Sequence, residues 1–415
     1  MSQKHLMGLN AHVEEGSVWL RTYKSSWSFS VDKTDASDPF RAIRVYRMEL
    51  PGFTFNDDYA EYFDGLSWRE AELIFEGPLP AGNNRKFTYV DKNVVLGQTY
   101  AYWMGPAEGE PVGPAPVKVR DPEVWWSQAR IVSEMAELKA RYPKIVQVET
   151  IGRTVRGKEI QALRIGPARP CIGLVGAVHA GESGPELILP AIASLLANHG
   201  ELLSQVGIVA VPVVNADERE RLVQGVPWYL RTNANGVDLN RNFPSNWEAV
   251  SYSYGLDSSD PDSVTYRGVA PGSEPETQAL MGFLRENPVD ILYSYHFLAS
   301  VTGMKFLAPV SAEPDAARAT RCRDFAVRYA GNMVSGLAFK TEQVFAFGTT
   351  AGSLPAWCYQ QINTPALDVE ISAALESETR TQCIADKTDR RLLQDYQGRH
   401  ERGLLAVLQN LTGIN

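Results

Sequence analysis

Two histidines and a glutamate stand where they could hold a metal ion together. His179 directly follows the apolar run CIGLVGAV, and Glu182 comes three residues later. His296 directly follows DILYSY. In open α/β sheets, ligands bind beyond the carboxyl ends of the strands, so side chains that follow two such runs can converge. Two imidazoles and one carboxylate are a known ligand set for catalytic zinc, which leaves the fourth position for water. The spacing therefore predicts a catalytic zinc site.

A second polar cluster lies in the stretch GVDLNRNFPSNW, from Gly236 to Trp247. The simplest interpretation is a turn in which Asx side chains bond their own backbone. Such a turn needs no arginine between two asparagines, however. The composition of the stretch therefore indicates a function beyond a turn.

Taken together, these motifs resemble the zinc carboxypeptidase family in type, order and spacing. The resemblance covers nearly all of residues 122–415 and rests on His179-x-x-Glu182, Arg231 in WYLRTN, DLNRNFP from Asp238 to Pro244, His296, and Glu370 in PALDVEIS. It implies one zinc ion per chain, held by His179, Glu182 and His296. It also implies hydrolysis of the C-terminal peptide or amide bond of a peptide.

The resemblance implies roles for the other residues of the motifs. Glu370 would be the general base that takes a proton from the metal-activated water, and Arg231 would stabilise the oxyanion of the intermediate. A surface ion pair is the alternative for Arg231. Asn240 and Arg241 would receive the terminal carboxylate of the substrate, because a guanidinium matches a carboxylate through two hydrogen bonds. Asp238 would hydrogen-bond the outer nitrogen of the first histidine ligand.

Some positions depart from the family or set its specificity. Gly181 stands where the family often has an arginine that contacts the substrate. Phe347, or Gly348 if the alignment shifts by one, stands in place of the mobile tyrosine that covers the substrate. Phe347 could cover the site but has no hydroxyl to bond a peptide. Leu354 falls where the family recognises the terminal side chain, which favours a neutral or hydrophobic one.

The first part of the chain has a different sequence pattern from the rest, which indicates a different fold. From about Gly16 to Arg120, short alternating runs such as SVWLRTY, WSFSVDK, AIRVYRMEL and TYAYWMG are separated by turn residues. This pattern predicts an all-β sandwich domain over residues 1–120. The strands around Tyr89 and Tyr100 resemble the later strands of a fibronectin type III-like domain, and another small β module is the alternative.

From Asp121 onwards, apolar runs alternate with amphipathic segments. An amphipathic helix comes first, then a hairpin with an RGK turn, then CIGLVGAV, VGIVAVPVV, DILYSYH and PALDVEIS as strands between helices. Ser273 and Glu276 have the spacing of a capping box at the start of one helix. The pattern predicts an α/β domain over residues 121–415, with a mixed, mostly parallel sheet covered by helices on both faces.

Composition excludes several classes of partner. The net charge of −9 and the pI of about 5.4 argue against binding to nucleic acid. No apolar run approaches the roughly 18 residues of a membrane span, and no signal peptide is visible. The sequence as it stands predicts a cytoplasmic protein without a membrane partner. A secreted or periplasmic protein would look the same once its signal peptide had been removed.

Three other functions stay open. RTNANGVDLNRNFP and the later YRG and SEPET segments resemble bacterial amidases that cut murein peptides beside meso-diaminopimelate. Deacylases of N-acyl amino acids share the His-x-x-Glu and Asn-Arg pieces but usually lack an element like Arg231. A catalytically inactive binding protein on the same scaffold is the third. If the protein is a carboxypeptidase or a murein-peptide amidase, its expected partner is a peptide or peptidoglycan peptide with a free carboxylate.

Overall fold

A computed structural model describes residues 6–24, 42–51, 59–78, 86–182, 184–250, 252–253, 256–297, 304–333, 344–349, 351–371 and 390–413. The chain divides into two compact units, one of residues 1–122 with 221–229 and one of residues 123–220 with 230–415. The assignment of domains to residues 1–120 and 121–415 stays a prediction. Within the described ranges, no helix is both long and apolar enough to cross a membrane.

The first unit is built from antiparallel strands. Its elements are β1 (Leu6–Glu14), β2 (Ser17–Lys24), β3 (Ile43–Glu49), α1 (Tyr59–Asp64), β4 (Glu72–Gly77), β5 (Lys86–Asp91), β6 (Thr99–Pro106) and β7 (Val112–Lys118). The strands form one sheet in the order β1-β2-β5 and another in the order β4-β3-β6-β7. Alternate side chains such as Val18 and Leu20 are buried, as in strands with one face toward a core. The prediction of an all-β region is confirmed, although the run WSFSVDK lies outside the described residues.

The rest of the chain alternates between helices and strands. In chain order the elements are α2 (Gln128–Arg141), β8 (Val146–Arg153), β9 (Glu159–Ile165), β10 (Cys171–Val175), α3 (Pro185–Asn198), β11 (Gly207–Val211), α4 (Ala216–Val223), β12 (Tyr252–Ser253), β13 (Leu256–Asp257), α5 (Pro275–Glu286), β14 (Ile291–Phe297), β15 (Met304–Pro309), α6 (Ala316–Met333), β16 (Phe345–Thr349), α7 (Leu354–Gln361), β17 (Ala366–Ile371) and α8 (Arg390–Thr412).

Eight of these strands form one mixed sheet in the order β16-β15-β17-β14-β10-β11-β9-β8. The neighbours β11, β10, β14 and β17 run parallel, and antiparallel pairs join β9 to β11 and β15 to β17. Every residue of β10 and β11 is buried, which means that both faces of the sheet are covered there. The predicted fold class, a mixed, mostly parallel α/β sheet, is confirmed.

The predicted capping box at α5 is wrong. The helix begins after Glu274, whose side chain makes no capping hydrogen bond. Ser273 Oγ instead donates to Glu274 Oε1 at 2.7 Å. The Glu276 carboxylate accepts from the backbone amide of Val155 at 3.0 Å and from Asn233 Nδ2 at 3.0 Å. The adjacent Glu274 and tertiary partners therefore occupy the groups that a capping box would use.

Candidate metal centre

A tight turn after β10 carries the first two residues of the centre. Gly176 and Gly184 approach so closely that a Cβ on Gly184 would lie 2.6 Å from the Gly176 Cα. Ala177 between them has a φ of 45°. This left-handed conformation is energetically unfavourable for any residue that has a Cβ atom. The turn brings its two polar side chains together, because His179 Nδ1 lies 3.1 Å from Glu182 Oε1.

His296 reaches the same point from β14, the strand that lies beside β10. Its Nδ1 lies 2.9 Å from Glu182 Oε2 and 3.3 Å from His179 Nδ1. All three side chains are buried. A tetrahedral metal ion with bonds of about 2.1 Å holds its ligand atoms about 3.4 Å apart, which is close to these distances. The structure thus brings together the three residues that the sequence singled out, and they form a group that could hold a metal ion.

The outer nitrogens of both histidines face groups that orient the rings. His179 Nε2 lies 3.0 Å from Asp238 Oδ1. His296 Nε2 lies 2.9 Å from Ser294 Oγ and 3.3 Å from Asp368 Oδ1. Asp238 is ionised, and an ionised carboxylate only accepts hydrogen bonds, so His179 Nε2 carries a proton that it donates outward to Asp238 Oδ1.

This arrangement decides which atoms face inward. A neutral imidazole with its proton on Nε2 has a lone pair on Nδ1. When both rings are in this neutral form, the Nδ1 atoms of His179 and His296 direct their lone pairs at each other and at the Glu182 carboxylate. Three acceptors in contact repel one another unless a proton or a cation lies between them. This donor set, two nitrogens and one oxygen, fits zinc.

Ser294 and Asp368 are site residues that the sequence analysis missed. They stand two positions before His296 and Glu370 on neighbouring strands and are paired with each other in register. Side chains two apart on a strand point to the same face, so this spacing was the signal that could have identified them.

Asp238 connects the first histidine to two further residues of the motif. Its Oδ1 accepts from His179 and from the backbone amide of Asn240 at 3.0 Å, and its Oδ2 accepts from Arg231 Nε at 2.8 Å. Burial would raise the pKa of Asp238, but Arg231, His179 and Arg241 outweigh it and hold that pKa well below its ordinary range. Arg231 therefore lies against Asp238, and its role at an oxyanion stays a prediction.

Asn240 and Arg241 lie in a short turn of 3₁₀ helix, Leu239–Arg241, and both are buried. Asn240 Oδ1 accepts from the backbone amide of Leu354 at 2.9 Å, and its Nδ2 donates to Asp368 Oδ2 at 3.3 Å. Arg241 Nη1 donates to the carbonyl of Asn240 at 2.7 Å. The turn is thus joined to two other segments of the site, and the binding of a carboxylate by these residues stays a prediction.

Gly352 allows the segment before α7 to approach that turn. It has a φ of +75°, and a Cβ there would lie 2.4 Å from the carbonyl oxygen of Arg241. Leu354 follows at the start of α7 and is fully buried in the hydrophobic core, so it presents no surface to a ligand in this structure. Phe347 on β16 is half-buried, and its ring contacts that of Phe345 with centroids 5.2 Å apart. The substrate contacts predicted for Leu354 and Phe347 stay predictions.

Glu370 lies beside the metal ligands at the end of β17, where it is the register partner of His296 on β14. It is 8% exposed, and its Oε2 has no hydrogen-bond partner among the described residues. Burial raises the pKa of Glu370 to about 8, with further contributions from Glu182 and Asp368 and opposition from His296. A carboxylate whose pKa is near neutrality can both take up and return a proton, as a general base must.

A buried donor set of this kind at the carboxyl edge of an α/β sheet is typical of a metallohydrolase. Residues 131–386 match the sequence profile of the zinc carboxypeptidases, and the chain belongs to this family. This family is one of zinc-dependent peptidases, and it implies zinc as the metal.

Several known proteins are similar to this chain. Carboxypeptidase D of Drosophila melanogaster is 27% identical over 189 residues, which are 41% of this chain and 12% of that protein. Murein peptide amidase A of Escherichia coli K12 is 46% identical over 70 residues, which are 16% of this chain and 29% of that protein. The matched parts thus span well under half the length of both relatives.

The fold also has solved counterparts. The crystal structure of the carboxypeptidase A from Helicoverpa armigera superimposes with a TM-score of 0.57 and 17% identity, over 71% of this chain and 75% of that one. At this identity the likeness concerns the fold alone.

Proposed function

We propose that the protein is a metallocarboxypeptidase that hydrolyses the C-terminal peptide or amide bond of a peptide. One zinc ion per chain is held by His179, Glu182 and His296. The observation that carries the proposal is the Glu370 carboxylate, which is buried beside these ligands with one oxygen lacking a partner among the described residues. A buried acceptor without a partner costs free energy, and a catalytic role explains why the fold retains it.

The roles follow from the chemistry of each side chain. Zinc, when bound, polarises the scissile carbonyl and lowers the pKa of water at the site. Glu370 takes the proton of the attacking water and delivers it to the leaving nitrogen. Arg231 donates to the oxygen on which negative charge develops. Arg241 and Asn240 bind the terminal carboxylate and so select the last bond of the peptide.

The test compares the wild-type protein with Glu370→Gln on peptides blocked at the amino end. We expect one zinc per chain in both proteins and a loss of kcat of at least about 10²-fold in the variant, since general-base catalysis contributes about 10²- to 10⁴-fold. Glu149→Gln, the same change at a side chain that is 38% exposed on β8, is the matched control and should retain full activity. Undiminished turnover in Glu370→Gln contradicts the assigned base.

Carboxylate recognition needs a separate test. A peptide with a free C-terminus and the same peptide with an amidated C-terminus differ only in the group that Arg241 is proposed to bind. Arg241→Met should raise KM for the free peptide by roughly 10- to 100-fold, because a hydrogen bond to a charged group contributes about 1.5–3 kcal/mol. Equal rates of wild-type hydrolysis on both peptides would indicate an endopeptidase or another amidase instead.

A murein-peptide amidase is the second candidate, and it is supported by the 46% identity to the E. coli enzyme over 70 residues. A peptide that contains meso-diaminopimelate, assayed beside simple C-terminal dipeptides, separates the two functions. A preference for one of these two substrates over the other by more than about 10-fold in kcat/KM, which is about 1.4 kcal/mol in transition-state binding, decides between the two functions. Turnover of N-acyl amino acids alone would favour a deacylase, and no turnover of any substrate by the zinc-loaded protein would favour a binding protein.

We also propose that residues 1–120 form a fibronectin type III-like domain. The sheets β1-β2-β5 and β4-β3-β6-β7 together have the seven strands of such a sandwich. Tyr100 at the start of β6 accepts a hydrogen bond from the backbone amide of Val95 at 2.9 Å, as in the tyrosine corner of these folds. Expression of residues 1–120 alone tests whether they fold as an independent domain, since an unfolded fragment would mean that the unit also needs residues 221–229.

A further inference from the structure

A fully buried ion pair lies beside the turn that carries His179 and Glu182. Arg219 of α4 and Glu186 in the first turn of α3 are both 0% exposed, and Arg219 Nη2 donates to Glu186 Oε1. The same carboxylate accepts from the backbone amides of Trp126 at 2.8 Å and Gly184 at 3.3 Å. The proposed reaction gives this pair no role.

The guanidinium also bonds the backbone of the turn itself. Arg219 Nη1 donates to the carbonyl of Glu182 at 3.1 Å and to the carbonyl of Ala180 at 3.4 Å. On its other side, Nε donates to the carbonyl of Trp126 at 3.4 Å, and the group packs over the ring of Trp125 at 4.8 Å. One cation is therefore bonded to the backbone of the metal ligand Glu182 and to that of Ala180, the residue directly after His179.

Stability alone is a poor reason to keep such a pair. Taking two charges out of water costs free energy, and well-packed apolar residues of similar volume often stabilise a fold as much or more. Apolar residues cannot bond the carbonyls of a turn, however. This turn needs such support, since Ala177 at its start has the unfavourable φ of 45°.

We propose that Arg219 and Glu186 are positioning residues that fix the direction of the Glu182 carboxylate and thereby set the affinity for zinc. This inference rests on the metal site of the proposed function. Arg219 holds the carbonyls on one side of the turn. Glu186 holds Arg219 in place and bonds the amide of Gly184 at the end of the turn.

The test measures zinc affinity by competition with a chelator, together with thermal unfolding of the metal-free protein. The double variant Glu186→Gln/Arg219→Met removes both charges and keeps an acceptor for the Trp126 amide. We expect it to fold and to raise the zinc Kd by about 10- to 100-fold, the usual effect of losing a partner that orients a ligand. Arg219→Lys is the second variant, because a single ammonium keeps the ion pair but lacks the separate nitrogens by which the guanidinium bonds Glu186 and the turn carbonyls at the same time.

Two controls separate positioning from general loss of stability. Leu195→Ala lies on α3, like Glu186, and removes a fully buried side chain. It should lower the unfolding temperature but leave the zinc Kd within about 2-fold, a difference of about 0.4 kcal/mol. Arg318→Met removes a guanidinium that donates to the carbonyl of Tyr359 at 3.1 Å and packs over that ring at 4.2 Å. Its zinc Kd should also be unchanged.

Each outcome decides the inference. A folded Glu186→Gln/Arg219→Met or Arg219→Lys protein with a zinc Kd within about 3-fold of wild type overturns it, as does an equal loss of affinity in Leu195→Ala. A wild-type protein that binds no zinc overturns both this inference and the proposed function. A wild-type protein that binds zinc but hydrolyses no peptide overturns the proposed function only, since the Kd comparison still decides the role of the pair.

Discussion

The buried carboxyl of Glu370 makes the stability of the metal-free protein depend on pH. Burial raises its pKa from 4.5 to about 8 in the folded state. In the unfolded chain the carboxyl ionises at its ordinary pKa, so between these two values unfolding releases a proton. Stability is therefore fully present below about pH 4.5 and is lost as the pH rises through about 8. Glu370→Gln removes this dependence with almost no change in shape.

The magnitude follows from the two pKa values. Each step of one pH unit costs about 1.4 kcal/mol of the free energy of unfolding, for a total near 5 kcal/mol. Water that enters around a buried charge lowers the cost, so we expect about 2–5 kcal/mol. Other groups of the site titrate in both proteins, and their contributions largely cancel when the variant is compared with the wild type.

Urea unfolding of both proteins, stripped of metal and followed by circular dichroism, measures the effect. At about pH 5 the two free energies of unfolding should be similar. At about pH 8.5 the Glu370→Gln protein should be more stable by several kcal/mol. A difference in unfolding free energy between the two proteins that stays constant across this pH range would refute the argument. It would mean that Glu370 ionises as easily in the folded protein as in the unfolded chain.

Three further predictions concern the same site. Asp238→Asn should weaken zinc binding by about 10- to 100-fold in chelator competition, because an amide has one oxygen where the carboxylate uses two; an unchanged Kd would contradict this. Gly352→Ala should lower the unfolding free energy by about 1–3 kcal/mol in thermal unfolding, since a Cβ meets the Arg241 carbonyl at a positive φ. Zinc uptake near pH 7 should release protons from His296 and Glu370, whose pKa values are raised, and calorimetry in buffers of different ionisation enthalpy counts them.

Much of the fold could be predicted because its signals are local. The apolar runs that became β10 and β14 are continuous, and residues that follow such strands meet at one edge of a parallel sheet. That rule alone predicted that His179 and His296 lie near each other. The motif DLNRNFP, read through its resemblance to a family, located Asp238 at the outer nitrogen of His179, where the structure has it.

The remaining contacts join distant segments without a local pattern. Glu186 and Arg219 are ordinary helix residues in the sequence, and only the packing of α3 and α4 pairs their charges. The capping box at Glu276 failed for the same reason, since Val155 and Asn233, far away in sequence, bond its carboxylate. Tertiary hydrogen bonds to buried groups outweigh local capping, because a buried polar group without a partner costs more than a cap contributes.

The charged side chains of the site leave a net negative charge that either protons or a divalent cation can offset. Four carboxylates and two guanidinium groups of the described residues lie together: Glu182, Asp238, Asp368, Glu370, Arg231 and Arg241. Four negative and two positive charges leave two negative charges, which is a large imbalance for a buried site. In the metal-free protein, protons supply the missing charge, and the raised pKa values of His296 and Glu370 report where they bind. A divalent ion among the inward lone pairs replaces both protons, and Glu370 then becomes the carboxylate that a general base must be.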